Sequence, residues 1–177
     1  MSVMDVKKDF DMNVHIRWMI RRYMAEVLDI EQSSFEFPWT EEDFIRCLRQ
    51  RNCIGMVAEY DEKVVGFMIY ELHRDQLHVL NFSVGPDVHR RGIGSQMVNK
   101  LLGKLSQQRR NQITLEIRET NLAAQVFFRN LGFKAISVLR DYYDDTVEDA
   151  YVMQYLYQQE AMEDEQSTNR IARRLAG

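Results

Sequence analysis

The chain has only two cysteines among its 177 residues, Cys47 and Cys53, and no further cysteine or close histidine pair completes a four-ligand zinc pattern. A disulfide framework is therefore excluded, and both residues read as reduced, partly buried thiols. Positive charge is not in excess. The 23 Lys and Arg stand against 27 Asp and Glu, a formal charge of −4, which argues against a protein that grips nucleic acid through its phosphates. A basic partner is easier to accommodate. No run approaches the ~20 apolar residues that a membrane-spanning helix needs. The first residues carry Asp5, Lys7, Lys8, Asp9 and Asp11 and lack the apolar stretch of a signal peptide. A reducing cytoplasm is the expected location. No metal is expected either.

What is present suits a packed enzyme or binding module. A composition 45% hydrophobic and 28% charged is too apolar for a disordered chain. A domain near this length buries about 70% of its unfolded surface, so a single domain is expected. Val14 to Met19 alternates apolar and polar residues as a short strand does, and Ile20, Met24, Val27 and Leu28 then recur at helical spacing. Phe37-Pro38-Trp39 breaks that pattern. Thr40, with Asp43 three residues on, reads as a capping box for a second helix that buries Phe44, Cys47 and Leu48.

Gly55 to Tyr60, Val64 to Leu72 and Leu77 to Val84 read as an antiparallel meander. A helix from Ile93 puts Met97, Val98, Leu101, Leu102 and Leu105 on one face, and a strand follows over Gln112 to Arg118. A further helix begins near Asn121 and stops at Gly132, where glycine can take a left-handed conformation. Strands near Lys134 to Leu139 and Val147 to Leu156 complete the order β-α-α-β-β-β-α-β-α-β-β. That is an α+β arrangement rather than the alternation of a doubly wound sheet. From residue 158 the chain is acidic and then basic, and reads as a frayed helix or a disordered end.

His89-Arg90-Arg91-Gly92-Ile93-Gly94-Ser95 lies between a predicted strand and an amphipathic helix. The glycines let successive N–H groups point one way, and the helix start adds its positive end, so the loop can hold a diphosphate. It reads equally as a glycine turn that opens a helix beside two solvated arginines. In Leu115-Glu116-Ile117-Arg118, Glu116 and Arg118 share the strand face opposite Leu115 and Ile117. On spacing alone Glu116 is a solvated or salt-bridged carboxylate. Asp141, Asp144, Asp145, Glu148 and Asp149 read as a solvated loop or as a surface that recruits a basic peptide.

Taken in order, several pieces resemble the GNAT acetyltransferases, and among these the bacterial ribosomal-protein-alanine N-acetyltransferases. They are Phe37-Pro38-Trp39, Asn81-Phe82-Ser83-Val84, the Arg-Arg-Gly-Ile-Gly loop, Leu115 to Arg118, Asn121 and Asn130-Leu131-Gly132-Phe133. Arg140-Asp141-Tyr142-Tyr143 and Glu148 to Met153 continue the series. The resemblance implies a GNAT fold over residues 14–157, between an N-terminal extension over 1–13 and a charged tail over 158–177. Its mixed sheet would have about six to seven strands, flanked by about four helices, splayed around an acetyl-coenzyme A site.

By the same resemblance, Phe82, Ser83 and Val84 would pair through their backbone with the pantetheine arm. Arg90, Arg91, Gly92, Ile93, Gly94 and Ser95 would cradle the pyrophosphate. Asn121 would bond the cofactor near its reacting end, and as a residue that opens a helix it is also a natural cap. Glu116 matches the family's general base. Phe37, Trp39, Tyr142 and Tyr143 would wall the acceptor site. The implied reaction moves an acetyl group onto a protein amine, for which the N-terminal α-amine of a ribosomal or other protein fits. A small-molecule amine or a non-catalytic acyl-coenzyme A module is the alternative. Phe128 stands where the family places a tyrosine as general acid, and Tyr142, Tyr143 or a water would have to replace it.

Overall fold

Residues 11–158 are described by a computed structural model. The charged tail falls outside the described residues from 159 on, as do Asp5, Lys7, Lys8 and Asp9 of the N-terminal extension. The chain forms β1 (His15–Trp18), α1 (Met24–Ser34), α2 (Glu41–Leu48), β2 (Cys53–Tyr60), β3 (Lys63–Leu72) and β4 (Gln76–Val84). It continues with α3 (Ile93–Leu102), β5 (Gln112–Arg118), α4 (Leu122–Asn130), β6 (Lys134–Tyr143) and β7 (Glu148–Leu156). This is the order that periodicity predicts. The Thr40 side chain accepts from Asp43 N–H while Asp43 accepts from Thr40 N–H, so the predicted capping box opens α2. Gly132 takes φ +95° just after α4, as expected of a glycine past a helix end.

Two boundaries differ from expectation. α3 stops at Leu102 and Leu105 lies beyond it, yet Leu105 is buried in the same core because the chain turns back over the sheet. β6 runs on to Tyr143, so Tyr142 and Tyr143 are strand residues rather than part of a loose connection. Their pairing with β7 is interrupted between Leu139 and Tyr143, where Asp141 takes φ +49°.

The seven strands form one sheet in the order β1-β2-β3-β4-β5-β7-β6, antiparallel at every join except β4 with β5. β3 places Met68 and Tyr70 against α3 and α4, and Phe67 and Ile69 against α1 and α2, so alternation feeds two cores. Fully buried Phe67 meets Phe44 edge-on, with ring centroids 5.6 Å apart.

The β4–β5 join is short. It runs only from Gln76–Gln112 to Val79–Leu115. On its other edge β4 has an irregular register with β3, where Tyr70 faces Val79 but Ile69 faces Asn81, leaving Leu80 as an extra residue. An extra residue bends a strand and increases its twist. Beyond Leu80, β4 and β5 part.

Candidate active site

The parted strands leave a cleft of about 360 Å³. One wall is β4, from Val79 to Phe82, and the facing wall is β5, from Leu115 to Arg118. The segment after α1, with Phe35, Phe37 and Trp39, closes one side. Asn121, Ala124 and Phe128 of α4 and Tyr143 of β6 also line it. Glu116, Phe37, Trp39, Phe82, Asn121, Phe128 and Tyr143 are thus brought together as expected. Tyr142 is not in the lining; it is about half exposed and meets the Tyr143 ring edge-on at 5.0 Å.

Glu116 sits at the mouth of the splay, one residue past the last β4–β5 pair. Its Oε2 is 2.7 Å from Nε2 of His78, a residue that sequence reasoning missed. A carboxylate accepts, so Nε2 carries the hydrogen. His78 Nδ1 in turn lies 3.5 Å from a Glu71 oxygen. The Glu116 hydrogen bond, opposed by burial and aided by the charges of Glu116 and Glu71, holds the His78 pKa above its ordinary value.

A second missed carboxylate is Glu31, which faces the cleft from α1 and is only 1% exposed. It accepts from Trp39 N–H at 2.7 Å and from the Asn81 side-chain amide at 3.0 Å. Burial pushes its pKa up, and these two bonds oppose the shift. Ser83 donates to Ser34 at 2.8 Å, so α1 is tied to β4 at two points near the cleft.

Arg118 braces the opposite end. Its guanidinium lies 3.8 Å from the Tyr143 ring centroid and 5.5 Å from that of Phe37, and binds both oxygens of Asp145, at 3.0 and 2.7 Å. Burial, partly offset by Arg118, pushes the Tyr143 hydroxyl up to about 12, so it stays protonated across the working range. The acidic cluster is largely committed to the fold. Asp145 holds Arg118, Asp149 holds Arg140 and the Asp141 N–H, and Glu148 accepts from Thr120.

At the other end of β4, Gly92 caps α3 in the left-handed region with φ +74°, and no side chain caps the helix. The uncapped first-turn N–H groups and the exposed Arg90 and Arg91 suit a diphosphate. A Cβ on Gly92 would stand 3.0 Å from a carboxylate oxygen of Asp11, which lies against this turn. Gly94 also packs closely. It needs no left-handed backbone; a Cβ there would come within 2.9 Å of the Phe127 ring. A large substitution at Gly94 therefore tests packing as well as phosphate access. Ile93 is buried in the core and Ser95 is half-buried in the first turn. His89 donates from Nε2 to the Val84 carbonyl at 2.8 Å.

An extended ligand can lie between the parted strands as an extra strand, with its charged end on the α3 turn. That shape fits acetyl-coenzyme A, which when bound would supply a thioester for an amine to attack. Residues 24–133 match the family model of the GNAT acetyltransferases. The chain belongs to this family.

The acetyltransferase is 31% identical over 126 residues to the [ribosomal protein bS18]-alanine N-acetyltransferase of Salmonella typhimurium, covering 70% of this chain and 84% of that protein. The crystal structure of the ribosomal-protein-S18-alanine N-acetyltransferase from Escherichia coli superposes with a TM-score of 0.74 at 26% identity. That match covers 83% of this chain and 96% of the other. Ard1 from Thermoplasma volcanium gives the same TM-score and identity over 82% of this chain and 99% of its own. The chain is thus an N-acetyltransferase that uses acetyl-coenzyme A. Among the described residues no helix is long and apolar enough to cross a membrane.

Replacing Glu31 by Ala leaves the Trp39 N–H and the Asn81 amide unpaired in a buried place. It is expected to cost about 1–3 kcal/mol for each group left without a partner, read from urea unfolding. The loosened Phe37–Trp39 segment should also raise the acceptor KM.

The raised His78 pKa gives a signed prediction. The His78–Glu116 pair contributes stability in full below the ordinary histidine value near 6.5, and the contribution fades as pH rises through the higher folded value. The stability gap between wild type and His78→Gln should therefore be wider at pH ~6 than at pH ~9. Equal gaps in urea melts at the two pH values would disprove the coupling.

Proposed function

We propose that the acetyltransferase acts on the α-amine at a protein N-terminus, with a ribosomal protein as the acceptor class. The observation that carries this reading is a carboxylate, Glu116, placed where β4 and β5 part and walled by Phe37, Trp39 and Tyr143. An amine attacks a thioester only when neutral. A free α-amine has a pKa of about 8 against about 10.4 for lysine, so a single positioned carboxylate has the easier task with an N-terminus. The similarity to bS18-alanine N-acetyltransferases supports the same acceptor. A ribosomal acceptor puts the reaction in the cytoplasm, which also suits two free thiols.

In this reading Glu116 takes the amine proton. Oε2 is held by His78, so Oε1 is left to face the cleft. Phe82, Ser83 and Val84 lie on the edge of β4 offered to the pantetheine arm, with the Val84 carbonyl already taken by His89. Arg90, Arg91, Gly92, Ile93, Gly94 and Ser95 form the diphosphate turn. Asn121 uses its side-chain oxygen to cap α4 through the Ala124 N–H at 3.1 Å, which leaves its amide hydrogens for the ligand. Phe37, Trp39 and Tyr143 wall the acceptor, and Tyr142 supports Tyr143 from behind. We assign the transferase domain to residues 14–157. Met12 also joins it by donating to the Arg91 carbonyl at 2.9 Å.

Phe128 offers no proton to the departing sulfur. It is 5% exposed and meets Phe82, Phe127 and Phe133 edge-on. The need is modest, because a thiol of pKa about 8.5 leaves tolerably as an anion. Tyr143 carries the tyrosine hydroxyl among the cleft-lining residues.

The reading is tested by incubating the protein and acetyl-coenzyme A with N-terminal peptides, lysine peptides and polyamines, with products read by mass. Acetylation of the α-amine is expected to lead; preference for lysine or a polyamine would refute it. Glu116→Gln should bind acetyl-coenzyme A with near wild-type affinity and lose on the order of 10²-fold in turnover. Full activity of that variant would make Glu116 structural.

Phe128→Tyr should raise turnover by placing a donor near the sulfur, at a stability cost of about 1–3 kcal/mol if its hydroxyl finds no partner. Unchanged turnover in a folded Phe128→Tyr protein, with a slow Tyr143→Phe, would instead put the donor on β6.

A further inference from the structure

The β3–β4 hairpin brings Glu71, His73 and His78 together on the side of His78 away from the catalytic carboxylate. One ligand atom from each lies within 4.8 Å of the others. Glu71 Oε2 is 2.9 Å from His73 Nε2 and 3.5 Å from His78 Nδ1. Two imidazoles and a carboxylate form a recognised zinc donor set, with a fourth position open to water. Around a tetrahedral ion with bonds of 2.0–2.1 Å, ligand atoms stand about 3.3 Å apart. The Glu71 distances to the two rings bracket that value, and the two histidine nitrogens lie within 4.8 Å of each other.

The far side of the His78 ring gives an independent observation. Its Nε2–H is fixed on Glu116 at 2.7 Å, which leaves Nδ1 as the nitrogen facing Glu71. Metal-binding histidines usually donate their other N–H to a carboxylate, which sets the tautomer and raises ligand basicity. Here that outer partner is already in place. Arg110 Nε also donates to the His73 carbonyl at 2.7 Å and holds the hairpin end. The side chains of His73, His78 and Glu71 are 39%, 23% and 22% exposed, so an ion can reach them.

We propose that Glu71, His73 and His78 form a site for a divalent transition-metal ion, zinc being the best match, and that its occupancy inhibits acetyl transfer. The ion binds the Nδ1 lone pair of neutral His78, which makes the Nε2–H already held on Glu116 a stronger donor and so lowers the basicity of that carboxylate toward the amine. Inhibition rests on the role given to Glu116 above; the binding site does not.

Binding is therefore measured first, on metal-free protein without acetyl-coenzyme A, whose thiol product would itself chelate. Cobalt should give a visible absorption band that saturates at one ion per chain. His73→Ala should weaken binding by more than about 100-fold, and Glu116→Gln, which alters only the outer partner, by about 10-fold. Cys47→Ser should leave binding unchanged. Zinc should then lower the initial acetylation rate with matching saturation, and EDTA should restore it. His73→Ala should keep its rate and lose the inhibition. A featureless spectrum with cobalt in large excess would overturn the proposal. So would binding that survives His73→Ala but fails in Cys47→Ser, which would move the ion to the thiols. Binding that needs His73 but leaves the rate untouched would keep the site and overturn the inhibition.

Discussion

The chemistry of this protein depends on how soon β4 and β5 stop pairing. Their parallel ladder ends at Val79–Leu115, next to the extra residue Leu80 that bends β4 away. Past that point the facing edges of the two strands no longer bond to each other, and on β4 the Val84 carbonyl is taken by His89. Such edges are costly unless wet, covered or paired. An extended ligand lying between them can pair with both, and Glu116 is the first residue of β5 beyond the ladder. The slot and the placement of Glu116 at its mouth both follow from where that ladder ends.

The flanks of the slot are held by charges that the fold has already partnered. Glu31 costs burial energy as an ion, yet it takes both a backbone N–H at Trp39 and the Asn81 amide, tying the aromatic segment after α1 to β4. Arg118 does the equivalent on the other wall, with its plane against Tyr143 and Phe37 and its N–H groups on Asp145. Removing one member of such a group leaves the other desolvated and alone, which costs more than the pair contributes. The aromatic walls are therefore positioned by polar side chains behind them, and much of the acidic cluster near β6 and β7 is part of that bracing.

Much of the fold is legible in the sequence because its signals are local. Alternation in Gln112 to Arg118, the Thr40–Asp43 box and the glycine past α4 each depend on neighbours within a few residues. The site is legible only where resemblance supplies it. His78 and Glu116 are 38 residues apart, and they meet because the parallel register sets His78 opposite Thr114, with Glu116 on the same face two positions along. Periodicity puts each on a strand and says nothing about register. Glu31 reads as one more polar residue of an amphipathic helix until its depth is known. The room Gly94 leaves beside Phe127 is equally hidden, because Phe127 belongs to another helix.

Phe128 shows how these constraints combine. Its ring is a junction of the aromatic cluster, touching Phe82 of β4 and Phe133 beyond α4 as well as its neighbour Phe127, whose ring also packs on Gly94 at the diphosphate turn. Phe128 thus joins β4 to α4, the helix that Asn121 caps. An apolar ring there completes this junction and brings no hydroxyl from α4 to the cleft. On the opposite wall Glu116 and His78 form a hydrogen-bonded carboxylate–imidazole pair within the sheet. The site is chemically one-sided, with its polar machinery on β4 and β5 and its packing on α4.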